Sequence, residues 1–211
     1  MPIDEPLFPV NLRLAGRPCL VVGGGHVALH KVQALLEAGA RVRVVAPDIL
    51  PAIEALPGVT IERRPYRRGE VEHERFVIAA TGDPAVDAAV FHDGESVGVW
   101  VNAADDPEHC SCTLPARIRR GPLLVTVSTA GHSPAVASWL RRRLDEQLGP
   151  EYEALLGVVS EVRNELRSRG IATEGLAWQE AIDSGMLELV RGGHLAEAKE
   201  RLQACLSSSS V

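Results

Sequence analysis

No stretch of this 211-residue chain is apolar for long enough to cross a bilayer as a helix. Its opening, MPIDEPLFPVNLRL, is too polar and proline-rich for a signal peptide. The reading is a soluble, cytoplasmic protein without membrane contact. Disulfide chemistry is equally poorly supplied. Of four cysteines, Cys19 lies in an apolar strand-like run, while Cys110 and Cys112 are too close for ordinary bridge geometry. Positive charge is not in excess either: a formal net charge of −6 argues against a nucleic-acid partner. No internal repeat is present. The arginines nevertheless cluster, at Arg63-Arg64, Arg67-Arg68, Arg117-Arg119-Arg120 and Arg141-Arg142-Arg143. Such groups are ordinarily solvated faces, but they also suit an anionic small molecule.

What remains is an ordinary globular composition, 45% apolar. Pro18 to Val22 is a short apolar run that stops at Gly23-Gly24-Gly25, as a strand buried on both faces would. Val27 to Ala38 reads as a helix ended by Gly39. Arg41 to Ala46, Phe76 to Ala80 and Val97 to Asn102 read as further strands, with a helix from Pro84. This alternation predicts an α/β fold with a doubly wound parallel sheet of Rossmann type. Two strands, Thr113 to Arg119 and Leu123 to Thr129, follow around a turn at Arg120-Gly121-Pro122. Ser133-Pro134 marks the start of a helix that ends at Gly149-Pro150. The rest is helical, with breaks near Gly170, Gly185 and Gly192-Gly193 and a tail, Ser207 to Ser210, expected to fray.

The segment Gly23-Gly24-Gly25-His26-Val27-Ala28 has the G-x-G-x-x-A form of a dinucleotide fingerprint between a strand and a helix. Gly23 permits the tight turn, Gly25 lets backbone approach a pyrophosphate, and Ala28 lets the helix pack on the sheet. The helix N-terminus then offers amides to phosphate charge. No carboxylate ends the second strand; the first is Asp48, after Pro47. Ribose recognition falls to Asp48 or to backbone groups. Arg41 and Arg43 leave a 2′-phosphate open, so NAD is preferred to NADP without being deduced.

Several segments in register carry a more specific resemblance. Leu20 to Ala28 with Lys31, Leu35 to Ala40, Val44 to Pro47, Ile78 to Thr81, Val101 to Pro107 and Leu124 to Pro134 are similar to the precorrin-2 dehydrogenase / sirohydrochlorin ferrochelatase family. The resemblance covers roughly residues 5 to 150. It implies a Rossmann domain at 1–112, a mixed dimerisation segment at 113–149 and a small helical domain at 150–211. It also implies a homodimer and NAD-dependent oxidation of precorrin-2 to sirohydrochlorin. Ferrous iron insertion to give siroheme is a further activity of some members. A C-terminal methyltransferase domain, carried by other members, is not expected in so short a chain. His26, Thr129-Ala130 and His132 depart from the family's usual residues. The alternative is a catalytically silent NAD-binding module that holds another tetrapyrrole enzyme.

Asp105 is the expected catalytic residue. It follows the final Rossmann-type strand, and hydride loss from a macrocycle must be accompanied by proton loss to a base. The plainer reading of Asp105 is a turn closed with Asp106 and Pro107. Gly23, Gly24, Gly25, His26, Val27, Pro47, Asp48 and Thr81 are expected at the cofactor. Asn102, Ser128, Thr129, Gly131, His132 and Ser133 are expected at the tetrapyrrole, with amides of Gly131 to Ser133 offered to its acidic side chains. His109, Cys110 and Cys112 lack the paired spacing of a structural zinc site. No stable metal is expected, only transient iron near Asp105.

Overall fold

The computed structural model describes residues 3–208. Its contacts divide into two units: the chain up to Leu114 together with Thr129–Ser133, and Pro115–Ser128 together with the chain from Pro134.

In the first unit, β1 (Pro18–Val22) leads into α1 (His26–Glu37), followed by β2 (Arg41–Ala46), a single turn α2 (Pro51–Glu54) and β3 (Val59–Arg63). Next come β4 (Phe76–Ala79), α3 (Pro84–Val97) and β5 (Trp100–Ala103). The five strands lie in the order β3-β2-β1-β4-β5, and every pair is parallel. The strand order reverses direction at β1. In open α/β sheets, the crevice beyond the carboxyl ends of the strands at such a switch point is where ligands bind. Val22 is level with Val45 on one side and Ala79 on the other, and Ala79 is level with Ala103. The strands therefore end in one row, and the loops beyond them share one rim.

Burial explains the apolar runs. Cys19, Val21, Val42 and Val44 face one layer with Ala28, Val32 and Leu35 of α1; Leu20, Val22, Val45, Val77 and Val101 face the other with Val90 of α3. A strand covered on both faces reads as continuous apolar sequence, as β1 does. Strand β3 was not foreseen from the sequence. It is an edge strand whose residues are all half-buried or exposed, and its Glu62 and Arg63 carry charge. The expected strand at Val97 to Asn102 begins later, at Trp100. Helix α3 continues through Val97 and closes on Gly98 in the left-handed conformation (φ 70°). That is the usual glycine stop, one residue beyond the helix.

The second unit holds an antiparallel hairpin, β6 (Ala116–Arg120) and β7 (Leu123–Val127), and the helix α4 (Pro134–Gln147). Four further helices follow: α5 (Glu151–Ser168), α6 (Trp178–Asp183), α7 (Met186–Arg191) and α8 (Leu195–Ser208). Val158, Val162, Met186, Ala198, Leu202 and Leu206 form the core of these helices. The breaks fall where the glycines stand, with Gly170 at φ 74° and Gly185 at φ 93°. Helix α8 continues through Ser207 and Ser208; Ser209 and Ser210 lie outside the described residues. No helix among the described residues is long and apolar enough to cross a membrane.

Candidate functional site

Beyond the strand ends lies a cavity of about 580 Å³. Its walls include Gly23, Gly24 and Gly25 from the first loop, Pro47 and Asp48 from the second, and Thr81 and Asp83 from the fourth. The three glycines do different work. A Cβ on Gly23, whose φ is 128°, would lie 2.1 Å from the Ala80 carbonyl oxygen. One on Gly24 would lie 2.0 Å from the Asp48 carbonyl oxygen. Both glycines thus let two backbones cross, and the Leu50 amide donates to the Gly24 carbonyl at 2.9 Å. A Cβ on Gly25 would meet nothing within 4 Å. Gly25 faces open space, immediately before helix α1, and has no side-chain cap. A space bounded by bare backbone at a helix N-terminus fits a pyrophosphate. The motif alone assigned Gly24 no role of its own; its crossing with Asp48 is visible only in three dimensions. His26 and Val27 are exposed at the start of α1.

The far wall of the cavity comes from Arg63, Pro65 and Tyr66. Arg63 belongs to one of the arginine clusters noted in the sequence, but none of the three was expected at the cofactor. The buried Asp93 of α3 anchors this segment. It accepts hydrogen bonds from the Tyr66 hydroxyl (2.7 Å), the Gly69 amide (3.0 Å) and Arg68 Nε (3.1 Å). Burial pushes the Asp93 carboxyl up, but these donors outweigh it and hold the group below the usual carboxylate range. Arg43 is not free to meet a phosphate. Its guanidinium reaches Glu62 (3.3 Å), Glu70 (3.4 Å) and Glu74 (2.8 Å). Arg41 stands at the opposite end of β2 from the cavity.

A second cavity, of about 350 Å³, is lined by Val27, Ala80, Gly82, Asp87, Asp105 and Asp106, among others. The loop after β4 borders both spaces, with Thr81 and Asp83 in one and Ala80, Gly82 and Pro84 in the other. Asp105 sits on the turn after β5 in the left-handed conformation, φ 63°. Aspartate tolerates this conformation better than most side chains. It is exposed and makes no hydrogen bond or ion pair to the described residues. Its neighbour is engaged: Asp106 Oδ2 is 2.6 Å from His109 Nδ1, and that bond lowers the Asp106 carboxyl from its ordinary value. Asp87 is buried and accepts from the Thr81 hydroxyl (2.7 Å) and amide (3.2 Å). Burial raises its carboxyl above the usual range despite these bonds. Thr81 thus braces the loop against α3.

Asn102 is buried, and its amide nitrogen donates to the Cys112 carbonyl at 3.0 Å. Residue 110 pairs back on residue 102, the Ser111 amide donates to the Val101 carbonyl, and the Ser111 hydroxyl accepts from the Val101 amide at 2.7 Å. Cys110 Sγ lies 3.2 Å from the Ala103 amide and 3.2 Å from the Asp106 carbonyl. Burial pushes the Cys112 thiol up to about 12. Asn102 and the Cys110 thiol therefore clamp the loop that presents Asp105, the Asn102 amide through the Cys112 carbonyl.

Thr129 to Ser133 form a closed turn. Ala130 and Gly131 have φ of 48° and 78°, the His132 amide donates to the Thr129 carbonyl (2.8 Å), and the Ser133 amide donates to the Thr129 hydroxyl (3.3 Å). The expectation that His132 and Ser133 offer amides to a substrate is corrected accordingly, because the turn itself consumes them. His132 Nε2 lies 4.0 Å from Asp4. Ser128 is exposed at the end of the hairpin.

Residues 10–116, half of the chain, match the family described as "Putative NAD(P)-binding". The chain belongs to this NAD(P)-binding family. It is 34% identical to the siroheme synthase of Nitrosococcus oceani over 209 residues, 97% of this chain and 45% of that protein. It is 36% identical to the siroheme synthase of Stutzerimonas stutzeri, over 93% of this chain and 43% of that protein. The chain thus spans somewhat less than half the length of these curated relatives. Among solved structures, "SirC, precorrin-2 dehydrogenase" superposes with a TM-score of 0.72 at 26% identity, over 94% of this chain and 98% of that one. The Rossmann-type architecture with C-terminal helices is shared with it, and the expectation of NAD as cofactor has the support of the family and of this neighbour.

The glycine geometry predicts opposite phenotypes for adjacent substitutions. Gly24→Ala should destabilise the protein by more than about 3 kcal/mol, the upper range of over-packing costs, because the clash is with backbone. Gly25→Val should leave the unfolding midpoint nearly unchanged and abolish NAD binding. Chemical denaturation and calorimetry measure both; NAD binding by Gly25→Val at wild-type affinity would refute the assignment.

Proposed function

We propose that this chain oxidises precorrin-2 to sirohydrochlorin with NAD, a step of siroheme biosynthesis. One observation carries the reading: a carboxylate with no partner among the described residues, Asp105, lines a cavity that shares its border loop with the dinucleotide cavity. The match to a solved precorrin-2 dehydrogenase over nearly the whole of both chains supports it.

NAD, when bound, supplies the acceptor for the hydride. Gly25 at the N-terminus of α1 faces its phosphates, with the exposed His26 and Val27 beside it, Val27 on the side of the second cavity, while Pro47, Asp48 and Thr81 line its remaining walls. Asp105 takes the proton that the macrocycle loses. A base needs an available lone pair in the cavity, and Asp105 lines it without a partner among the described residues, whereas Asp106 and Asp87 are already engaged by His109 and Thr81. Asn102 holds the Asp105 loop in place, and Ser128, Thr129, Gly131, His132 and Ser133 belong to the region assigned to the tetrapyrrole. Ferrous iron insertion, if this chain performs it, draws on the same oxygen-lined cavity, with iron as a substrate. The reading includes a cytoplasmic location and the three-part division at 112 and 149. It also includes a homodimer built on 113–149, for which light scattering should give twice the 22.6 kDa chain mass and a monomer mass would be contrary.

Asparagine also tolerates the left-handed conformation, so Asp105→Asn removes the base and spares the turn. Turnover should fall about 10²–10⁴-fold, the usual contribution of a general base, with NAD affinity unchanged. Asp106→Asn is not an inert neighbour, since it loosens the His109 contact; its loss should be smaller. Steady-state kinetics decide this, and near-wild-type turnover in Asp105→Asn would mean that the proton goes elsewhere.

A further inference from the structure

The dinucleotide cavity has one cationic group among its described lining residues, Arg63, against two carboxylates, Asp48 and Asp83. Arg63 ends β3 and is level with Ala46, the last residue of β2. Beyond Ala46 come Pro47 and Asp48, so Arg63 and Asp48 flank the end of the second strand. In folds of this kind, that is where the adenosine ribose is read: a carboxylate favours a free 2′-hydroxyl and an arginine accommodates a 2′-phosphate. This site carries both, and the difference lies in what holds the arginine. Arg63 Nη2 is ion-paired with Glu54 Oε1, at the end of the short turn α2 that begins with the lining residue Pro51. The neighbouring guanidiniums are committed as well, Arg64 to Glu62 and Glu70, and Arg43 to three glutamates.

We propose that the Glu54–Arg63 ion pair, together with Asp48, makes this cavity select NAD against NADP. The inference rests on the dinucleotide reading of the cavity and adds the residues that set its choice of cofactor. A 2′-phosphate brought to the end of β2 meets a carboxylate at Asp48 and an arginine whose charge Glu54 already satisfies. A 2′-hydroxyl has a carboxylate to donate to and no need of the arginine. Selection here is partly repulsive, and removing the repulsion should relax it. Glu54 lies on the surface, with its side chain 34% exposed, so neutralising it does not threaten the core.

Binding of NAD and of NADP, each measured by calorimetry on the purified protein, tests this. Glu54→Gln should tighten NADP roughly tenfold, the scale of one charge-assisted guanidinium–phosphate contact, while NAD changes less than about threefold. Asp48→Asn should narrow the preference from the other side, weakening NAD and strengthening NADP. Adding Arg63→Gln to Glu54→Gln should cancel the gain in NADP affinity. Unchanged NADP affinity in Glu54→Gln, with NAD binding intact, overturns the proposal, as does a wild type that binds both dinucleotides equally. A wild type that binds neither overturns the cofactor reading beneath it.

Discussion

Two backbone crossings that no side chain could permit set the shape of the candidate site. At Gly23 the chain leaving β1 passes the Ala80 carbonyl, and at Gly24 it passes the Asp48 carbonyl. These crossings bring the loops after β1, β2 and β4 into contact at the point where strand order reverses. Most of the cavity walls hang from those loops, from the β5 loop beside them and from the segment after β3 that supplies Pro65 and Tyr66. Gly25, with nothing opposite it, is left facing the cavity that the crossings create. The motif is therefore a packing solution first and a binding surface second.

The charged groups sort themselves around this frame. Away from the strand ends, carboxylates and guanidiniums satisfy one another, as Arg43 does with Glu62, Glu70 and Glu74. Asp93 likewise spends its buried charge holding the Tyr66 segment as a cavity wall. Around the second cavity the pattern differs. Asp87 and Asp106 are bound to Thr81 and His109, whereas Asp105 has no partner among the described residues and sits on a loop clamped by Asn102 and Cys110. A free carboxylate on a well-held loop is the arrangement that proton transfer requires.

Much of this was legible in the chain itself. Strands β1 and β2 were read to the residue: β1 because a strand buried on both faces is an unbroken apolar run, β2 because its valines alternate with Arg41 and Arg43 before Val45-Ala46, and both because glycine or proline ends them. The glycine turn and the segment carrying Asp105 were also found, the second through resemblance. Strand β3 was missed because its alternation, Val59-Thr60-Ile61-Glu62, is too short to stand out on a half-exposed, charged edge; with it went Pro65, Tyr66 and the place of Arg63 in the far wall of the cavity. The amides of His132 and Ser133 were misjudged because a turn that closes on its own hydroxyl looks, in sequence, the same as one left open. Asn102 was read as shaping the Asp105 loop, and its bond to the Cys112 carbonyl is of that kind; whether it also meets the substrate is part of the proposal.

On this reading the two adjoining cavities form one oxidation site. Anaerobic incubation of the purified chain with precorrin-2 and NAD tests it most directly, following NADH and the absorption spectrum of the tetrapyrrole together. NADH and sirohydrochlorin should accumulate mole for mole. Bound NAD with no NADH formed, and precorrin-2 left unchanged, would contradict the account and leave a dinucleotide-binding module without this chemistry.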